Sequence, residues 1–516
     1  MSETYRYEWP ETAGAMVGDR YRHLPVNISV ALQEAVERTP GAIALTDDRS
    51  RVSYAVLMAS ASRAACTLQA AGVGAGDVVG ILCGNRIPLV VWYLGALLAG
   101  AEPALLNVRL TATELSALMQ VVHPRLLVAD REHADRAADL SVPMLDADRP
   151  ADAALRSDLP GLHASPDACA ALFFTSGTTG RSKAVRLSHR NLLHSAESYR
   201  RIFGLAGSVT LIAVPLFHVT GLIGQWLPSL LAGGEAVLMP RFEAAAADSL
   251  IRAHAVDFVF FVPTIFVRLL RVWEERGAPP SIAVAASGGA TLPAAVLTAI
   301  AARAPWTRIY NTYGMTEVAS PATILPALDA VERAVSVGRP APGAVLRVVD
   351  PATLGDVGRG KSGELLIAGP MVMAGYQDNP EATRMALVEA GGRMYVRSGD
   401  VARVDDDGFV YIVDRLKDLI NRGGEKILGG EVEEALYRHP EVLEVSVVGV
   451  PDPEWGEVVA AAVVYRGQPV DPEQLRGFLK ERLAAYKVPT RWRAVDELPR
   501  NANGKVDRSR VRAIFS

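Results

Sequence analysis

The sequence predicts an α/β fold, with a large layered N-terminal part followed by a small α+β domain. Two observations carry this. From Asn27 onward, short β-rich runs alternate with longer stretches of helical apolar periodicity, as expected for helices layered on a mainly parallel sheet. Past about residue 410 the pattern changes to short strands such as Val445 to Val450 and Val458 to Val464, with one helix that Asp471 can cap. That stretch reads as a separate domain of about a hundred residues.

The elements follow in order. Strands are expected over Val78 to Leu82 and Leu126 to Ala129, and helices over Tyr54 to Gln69, with Ser53 as N-cap, and over Ile87 to Ala99. Ala168 to Phe174 is an apolar strand entering a Gly, Ser and Thr loop; a second strand, Ala184 to Leu187, leaves it, and Ser188 then caps a helix. Leu211 to Ala232 lacks Asp, Glu, Lys and Arg over about a bilayer's width, but Pro215, His218, Gln225 and Pro228 interrupt it. A buried strand, loop and helix is the expectation there. Asp405-Asp406-Asp407-Gly408 reads as an acidic turn between strands. Asp414-Arg415-Leu416-Lys417-Asp418 is too charged for a core and suits an exposed hinge.

Composition narrows the function. The 516 residues make roughly three folding units, enough to bury a large interior. With 53 basic and 57 acidic residues mixed throughout and a formal net charge of -4, there is no basic footprint for nucleic acid or an anionic membrane. Small-molecule partners are expected, with no integral membrane association. Cys66, Cys83 and Cys169 lie far apart in apolar contexts, which suits buried, reduced thiols. The nine histidines show no HExxH spacing and no cluster with cysteine, so a histidine or cysteine metal centre is not expected. Met1 to Gly14 lacks the basic-then-apolar pattern of a secretory leader, and cytoplasmic residence is the expectation.

The strongest local signal is Thr175-Ser176-Gly177-Thr178-Thr179-Gly180-Arg181-Ser182-Lys183. Its glycines permit close backbone approach, and its hydroxyls and amides can surround a polyphosphate, with Lys183 adding charge. Taken alone, a Gly, Ser and Thr loop of this kind is more often a flexible polar turn. It lacks G-x-x-x-x-G-K-[ST] spacing, which removes the main support for a P-loop kinase or GTPase.

Between two strands, this segment resembles the phosphate loop of the adenylate-forming superfamily, which includes acyl-CoA synthetases, peptide-synthetase adenylation domains and luciferases. Further matches follow in the family's order from about Ala44 to Arg508. Asn311-Thr312-Tyr313-Gly314-Met315-Thr316-Glu317 resembles the Y-G-x-T-E segment. There Tyr313 offers a face for adenine, Thr316 a hydroxyl for a phosphate oxygen and Glu317 a hard ligand for magnesium. Ser287-Gly288-Gly289-Ala290 resembles the strand end that walls the adenine and acyl pockets. Arg397-Ser398-Gly399-Asp400 with Asp414-Arg415 resembles the ribose-binding segments, Asp400 accepting from the hydroxyls and Arg415 donating.

In the last hundred or so residues, Asn421 to Ile427 resembles the hairpin lining the thiol tunnel of acyl-CoA synthetases, with Gly423, Gly424 and Glu425 at its tip. Pro499 to Lys505 resembles the loop whose lysine, here Lys505, enters the active site for adenylation. His218 matches an aromatic or histidine beside the acyl carboxylate, and the resemblance adds Val219, Gly221, Leu222, Gln225, Val262, Gly314 and Met315 to the acyl pocket. Ser182 and Gly429 stand where the family commonly has proline, which loosens two turns.

The resemblance therefore implies a large domain with mixed sheets over 1–414, holding the ATP and acyl sites. A hinge at 415–420 follows, centred on Lys417, and then a small mobile domain over 421–516. ATP, Mg²⁺ and coenzyme A are the implied cofactors and co-substrates, and a carrier-protein pantetheine is the alternative thiol acceptor. Oligomeric state stays open, a homodimer included. The segments His218 to Gln225, Val262 to Ile265, Ser287 to Ala290 and Tyr313 to Ala319 offer no cationic partner except His218, so a neutral-tailed monoacid, aliphatic, aryl or polycyclic, is the expected substrate.

Overall fold

A computed structural model describes residues 3–149, 159–176, 182–290, 292–423, 425–500 and 506–516. The chain folds as two compact units. One comprises Met1–Arg347, Leu366–Arg397 and Gly408–Val410; the other comprises Val348–Leu365, Ser398–Asp407 and Tyr411–Ser516.

The first unit is built on two large mixed sheets. The seven-stranded one runs in the order Gly375–Tyr376, Ser182–Ser188, Cys169–Ser176, Glu102–Leu105, Val78–Leu82, Leu126–Ala129, Met144–Asp146. Its last five strands are parallel, and the two at the phosphate-loop end are antiparallel additions. The nine-stranded sheet has a parallel centre of Arg308–Met315, Val284–Ser287, Phe258–Phe261, Val209–Ile212, Glu235–Leu238 and Ile43–Thr46, with antiparallel strands added at both edges.

Local chemistry explains the helices. Ser53 Oγ accepts from Val56 N at 3.3 Å and opens Tyr54–Ala70. Ile87–Leu98 is apolar almost throughout and nearly all buried. Ser188 and Asn191 form a reciprocal capping box that opens His189–Phe203. That helix lies against the strands of the nine-stranded sheet through an aromatic cluster: Phe203 and Tyr310 have ring centroids 4.7 Å apart, and Tyr199 meets Phe260 edge-on at 5.6 Å. The uncharged stretch is a strand, Val209–Ile212, followed by a buried helical run from Val219 to Ala232 whose middle, Leu222–Trp226, is a π turn. Among the described residues no helix is long and apolar enough to cross a membrane. All three cysteines are buried and free.

The same helix carries two buried histidines. His189 Nδ1 accepts from Ile28 N at 3.2 Å, and His194 Nε2 donates to Pro342 O at 2.8 Å. Burial lowers both imidazoles from 6.5 to about 4. Between those values the unfolded chain binds more protons than the folded one, so stability falls as pH drops from 6.5 to 4. Each histidine is expected to cost on the order of 3 kcal/mol over that window. Thermal unfolding of His194→Gln should show a shallower acid dependence than the parent; an unchanged slope would contradict this.

The second unit contains a five-stranded sheet on which helices pack. Its central hairpin is longer than the sequence suggests, Val442–Asp452 with Gly456–Tyr465, because pairing extends into the charged and proline-bearing ends. Asp471 caps Pro472–Lys480 as expected, and two further helices, Gly429–Tyr437 and Arg508–Ala513, accompany it. One expectation needs correction. Asp414 is not an exposed hinge residue, since its side chain is 1% exposed. It is tolerated there because it accepts from Arg415 N, from Gly430 N at 3.1 Å and from the Arg508 guanidinium at 3.0 Å. Lys417 is exposed on the short turn Leu416–Asp418.

Candidate active site

Four neighbouring parallel strands of the nine-stranded sheet, Val209–Ile212, Phe258–Phe261, Val284–Ser287 and Arg308–Met315, put their carboxyl ends at one edge. Such an edge is where open α/β sheets take ligands, since loops rather than ladder hydrogen bonds occupy it. Past the first strand come His218 and the helical Val219, Gly221, Leu222 and Gln225. Val262 follows the second strand. Ser287 ends the third and leads into Gly288, Gly289 and Ala290. The fourth carries Asn311, Tyr313, Gly314 and Met315, then turns through Thr316 and Glu317. Register sets Phe261 beside Ser287 and Ser287 beside Asn311, and Thr312 Oγ1 donates to Ser287 O at 3.1 Å. Residues spread over a hundred positions of sequence thus share one edge. Gln225 donates from Nε2 to Thr210 Oγ1 and Leu211 O, tethering the π turn to its strand. Among the described residues Gln225 Oε1 and Ser287 Oγ are buried without a partner, polar atoms of the kind a bound group satisfies.

Glu317 sits in a turn under strain. Ala319 and Ser320, which follow it, adopt φ of 48° and 94°, conformations unusual for side-chain-bearing residues. Ser320 Oγ is held by the Tyr199 hydroxyl at 2.9 Å. Gly314 makes the turn possible, because a Cβ there would lie 1.4 Å from Ser320 O. Glu317 is 7% exposed, and Tyr376 Oη donates to its Oε1 at 2.9 Å while Met373 N donates to its backbone carbonyl at 2.9 Å.

At the end of the seven-stranded sheet, Cys169–Ser176 and Ser182–Ser188 pair antiparallel, with Thr175 opposite Lys183. Lys183 Nζ lies 4.9 Å from the centre of the Tyr376 ring. Gly177, Thr178, Thr179, Gly180, Gly424 and Lys505 lie outside the described residues.

Among the described residues no three carboxylate, histidine or cysteine side chains converge on a metal position. A lone buried carboxylate suits magnesium all the same, because that ion commonly takes one or two protein carboxylates and completes its shell with substrate phosphates and water. A cavity of about 320 Å³ lies elsewhere, at the ends of Val78–Leu82 and Leu126–Ala129. Its Arg86 is bound to Asp48 and Glu132 and its Asp130 to His133, so these charges answer one another.

Within the second unit, Asp400 and Arg415 meet, Oδ1 to Nε at 3.2 Å, with the Asp400 side chain 9% and the Arg415 side chain 53% exposed. Ile420–Arg422 and Glu425–Ile427 form the expected hairpin, entered through Gly423 at φ 57°, a conformation that favours glycine. Trp455 O accepts from Gly423 N at 2.7 Å, and the Arg422 guanidinium lies 5.2 Å from the Trp455 ring. Neither Trp455 nor Tyr376 was marked by any sequence pattern.

The model of the AMP-binding enzyme family matches residues 32–377, and that of the AMP-binding enzyme C-terminal domain matches 431–505. The chain belongs to the AMP-binding enzyme family. A feruloyl-CoA synthase of Amycolatopsis sp is 36% identical over 487 residues, covering 92% of this chain and 96% of that one. The o-succinylbenzoate CoA synthetase of Bacillus subtilis, solved with its acyl-adenylate intermediate, superimposes with TM-score 0.83 at 31% identity over 93% and 97% of the two chains. The same synthetase solved with ATP and a magnesium ion gives TM-score 0.83 at 31% identity, over 92% and 98%. As a member of this family the chain is an acyl-CoA synthetase, an AMP-forming carboxylate–CoA ligase that uses ATP, Mg²⁺ and coenzyme A.

Proposed function

We propose that this AMP-binding enzyme activates a neutral-tailed monocarboxylic acid and passes its acyl group to coenzyme A. The observation that carries the choice of acid is chemical: of the four segments gathered at the sheet edge, only His218 could counter a second negative charge. Burying an unpaired carboxylate costs about 3 kcal/mol or more, roughly a hundredfold in binding. Relatives named for acids as different as ferulate, 2-succinylbenzoate and sulfoacetate leave the acid to the pocket itself. A panel of aryl, aliphatic and polycyclic monoacids against short dicarboxylates, read by pyrophosphate release, is expected to favour a monoacid by about that factor. Preference for a short dicarboxylate would overturn the proposal.

A carboxylate is a poor electrophile, and attack of its oxygen on the α-phosphorus of ATP, with pyrophosphate leaving, makes it a mixed anhydride. That step needs developing charge to be stabilised more than it needs a proton moved. Thr175, the loop through Gly180, Lys183 and Lys505 would hold the phosphates, and Asn311, Tyr313 and the Gly289-Ala290 strand end the adenine. Magnesium, held by Glu317, would neutralise phosphate charge. Asp400 would accept from the ribose hydroxyls and Arg415 would orient it, as their ion pair suggests. In the second step the thiol sulfur attacks the acyl carbon and AMP leaves. Two nucleophiles approaching one site from different sides would crowd each other, so the small domain, 421–516, is proposed to turn about the hinge at 415–420. That rotation would withdraw Lys505 and bring the hairpin at Gly423, Gly424 and Glu425 to the thiol path. A carrier-protein pantetheine is the alternative acceptor, and assays with CoA or a carrier protein in turn separate the two.

A further inference from the structure

We infer that Tyr376 is a positioning residue for the adenylation step: its hydroxyl fixes the Glu317 carboxylate while its ring supports Lys183. The inference rests on reading Glu317 as the carboxylate that serves magnesium. Tyr376 lies on a two-residue edge strand, Gly375–Tyr376, paired with the strand that leaves the phosphate loop. The short segment around it is stitched on both sides. Toward the loop strand, Ala374 N donates to Arg186 O at 3.3 Å and Gln377 N to Ala184 O at 2.8 Å. Toward the Glu317 turn, Met373 N and Tyr376 Oη both donate to Glu317. Tyr376 therefore joins the end of one sheet to the ligand edge of the other, at the two groups that would face the same polyphosphate.

The chemistry suits that task. A phenol donating to one carboxylate oxygen stops the carboxylate from rotating, and the bond is charge-assisted. The ring face below Lys183 Nζ holds an ammonium without neutralising it, which leaves its charge for phosphate. Phenylalanine at this position would keep the ring under Lys183 and lose the donor to Glu317.

The test uses Mn²⁺ in place of magnesium and reads binding as well as turnover. Electron paramagnetic resonance titration should show Tyr376→Phe binding Mn·ATP about tenfold more weakly than the parent, the loss of one hydrogen bond to a charged group. ATP affinity in EDTA and conversion of supplied acyl-adenylate to thioester should stay unchanged. Glu317→Gln should lose the metal dependence of ATP binding. If Tyr376→Phe binds Mn·ATP like the parent while Glu317→Gln does not, the inference falls and the Glu317 reading stands. Parental Mn·ATP binding by Glu317→Gln would remove both. Equal losses by Tyr376→Phe in both half-reactions would mark a purely structural role and also overturn the inference.

Discussion

Replacing Glu317 with alanine is expected to slow acyl-adenylate formation by roughly a hundred- to a thousandfold, the usual cost of one transition-state stabiliser in a water-poor site. The expectation follows from how the residue is held. The residue is 7% exposed, its carboxylate is bound by Tyr376, and the turn that carries it is followed by Ala319 and Ser320 at positive φ. A fold does not maintain such a turn for a solvated surface acid. Because the proposed role is confined to the first step, conversion of supplied acyl-adenylate to acyl-CoA should be nearly unaffected. Single-turnover rates of the two half-reactions check this, and near-parental pyrophosphate release would remove Glu317 from the mechanism.

The second large effect separates the half-reactions from the side of the small domain. Lys505→Ala should abolish adenylate formation from ATP and acid yet leave thioester formation from a supplied adenylate largely intact. Gly424→Leu should do the reverse, since a bulky side chain there would obstruct a pantetheine arm and leave the adenylation face alone. Lys417→Pro, which fixes φ near roughly -65°, should trap one arrangement and spare adenylation. Equal damage to both steps by Lys505→Ala and Gly424→Leu would mean that the small domain does not alternate.

Much of the fold was legible because the deciding signals are local. Ser53 and Ser188 mark helix starts through hydrogen bonds to residues three positions on. The runs around Val78, Leu126 and Cys169 announce buried strands by composition alone. One part of the candidate site was legible for a different reason: the segments after Ile212, Phe261 and Ser287 and the strand Arg308–Met315 sit at parallel strand ends, which the nine-stranded sheet gathers at one edge. What stayed hidden depends on partners far away in sequence. Tyr376 and Glu317 are 59 residues apart, and a lone Gly-Tyr before a turn has no periodicity to single it out. Asp414 looks like a hinge charge until Arg508, 94 residues later, supplies the guanidinium that lets it be buried. The central hairpin of the second unit ran longer than its apolar stretch because backbone pairing continues past Val450 to Asp452.

The central claim, that a carboxylate is activated by adenylation on its way to a thioester, is tested most directly with oxygen isotopes. The best acid of the panel, labelled with ¹⁸O in its carboxylate, is incubated with the enzyme, ATP, Mg²⁺ and CoA, and the nucleotide product is examined by mass spectrometry. Attack of the carboxylate on the α-phosphorus leaves one labelled oxygen on phosphorus when the acyl group departs to the thiol. The expected result is acyl-CoA together with AMP carrying one ¹⁸O and unlabelled pyrophosphate. Formation of ADP with labelled inorganic phosphate, or of AMP without label, would contradict the account.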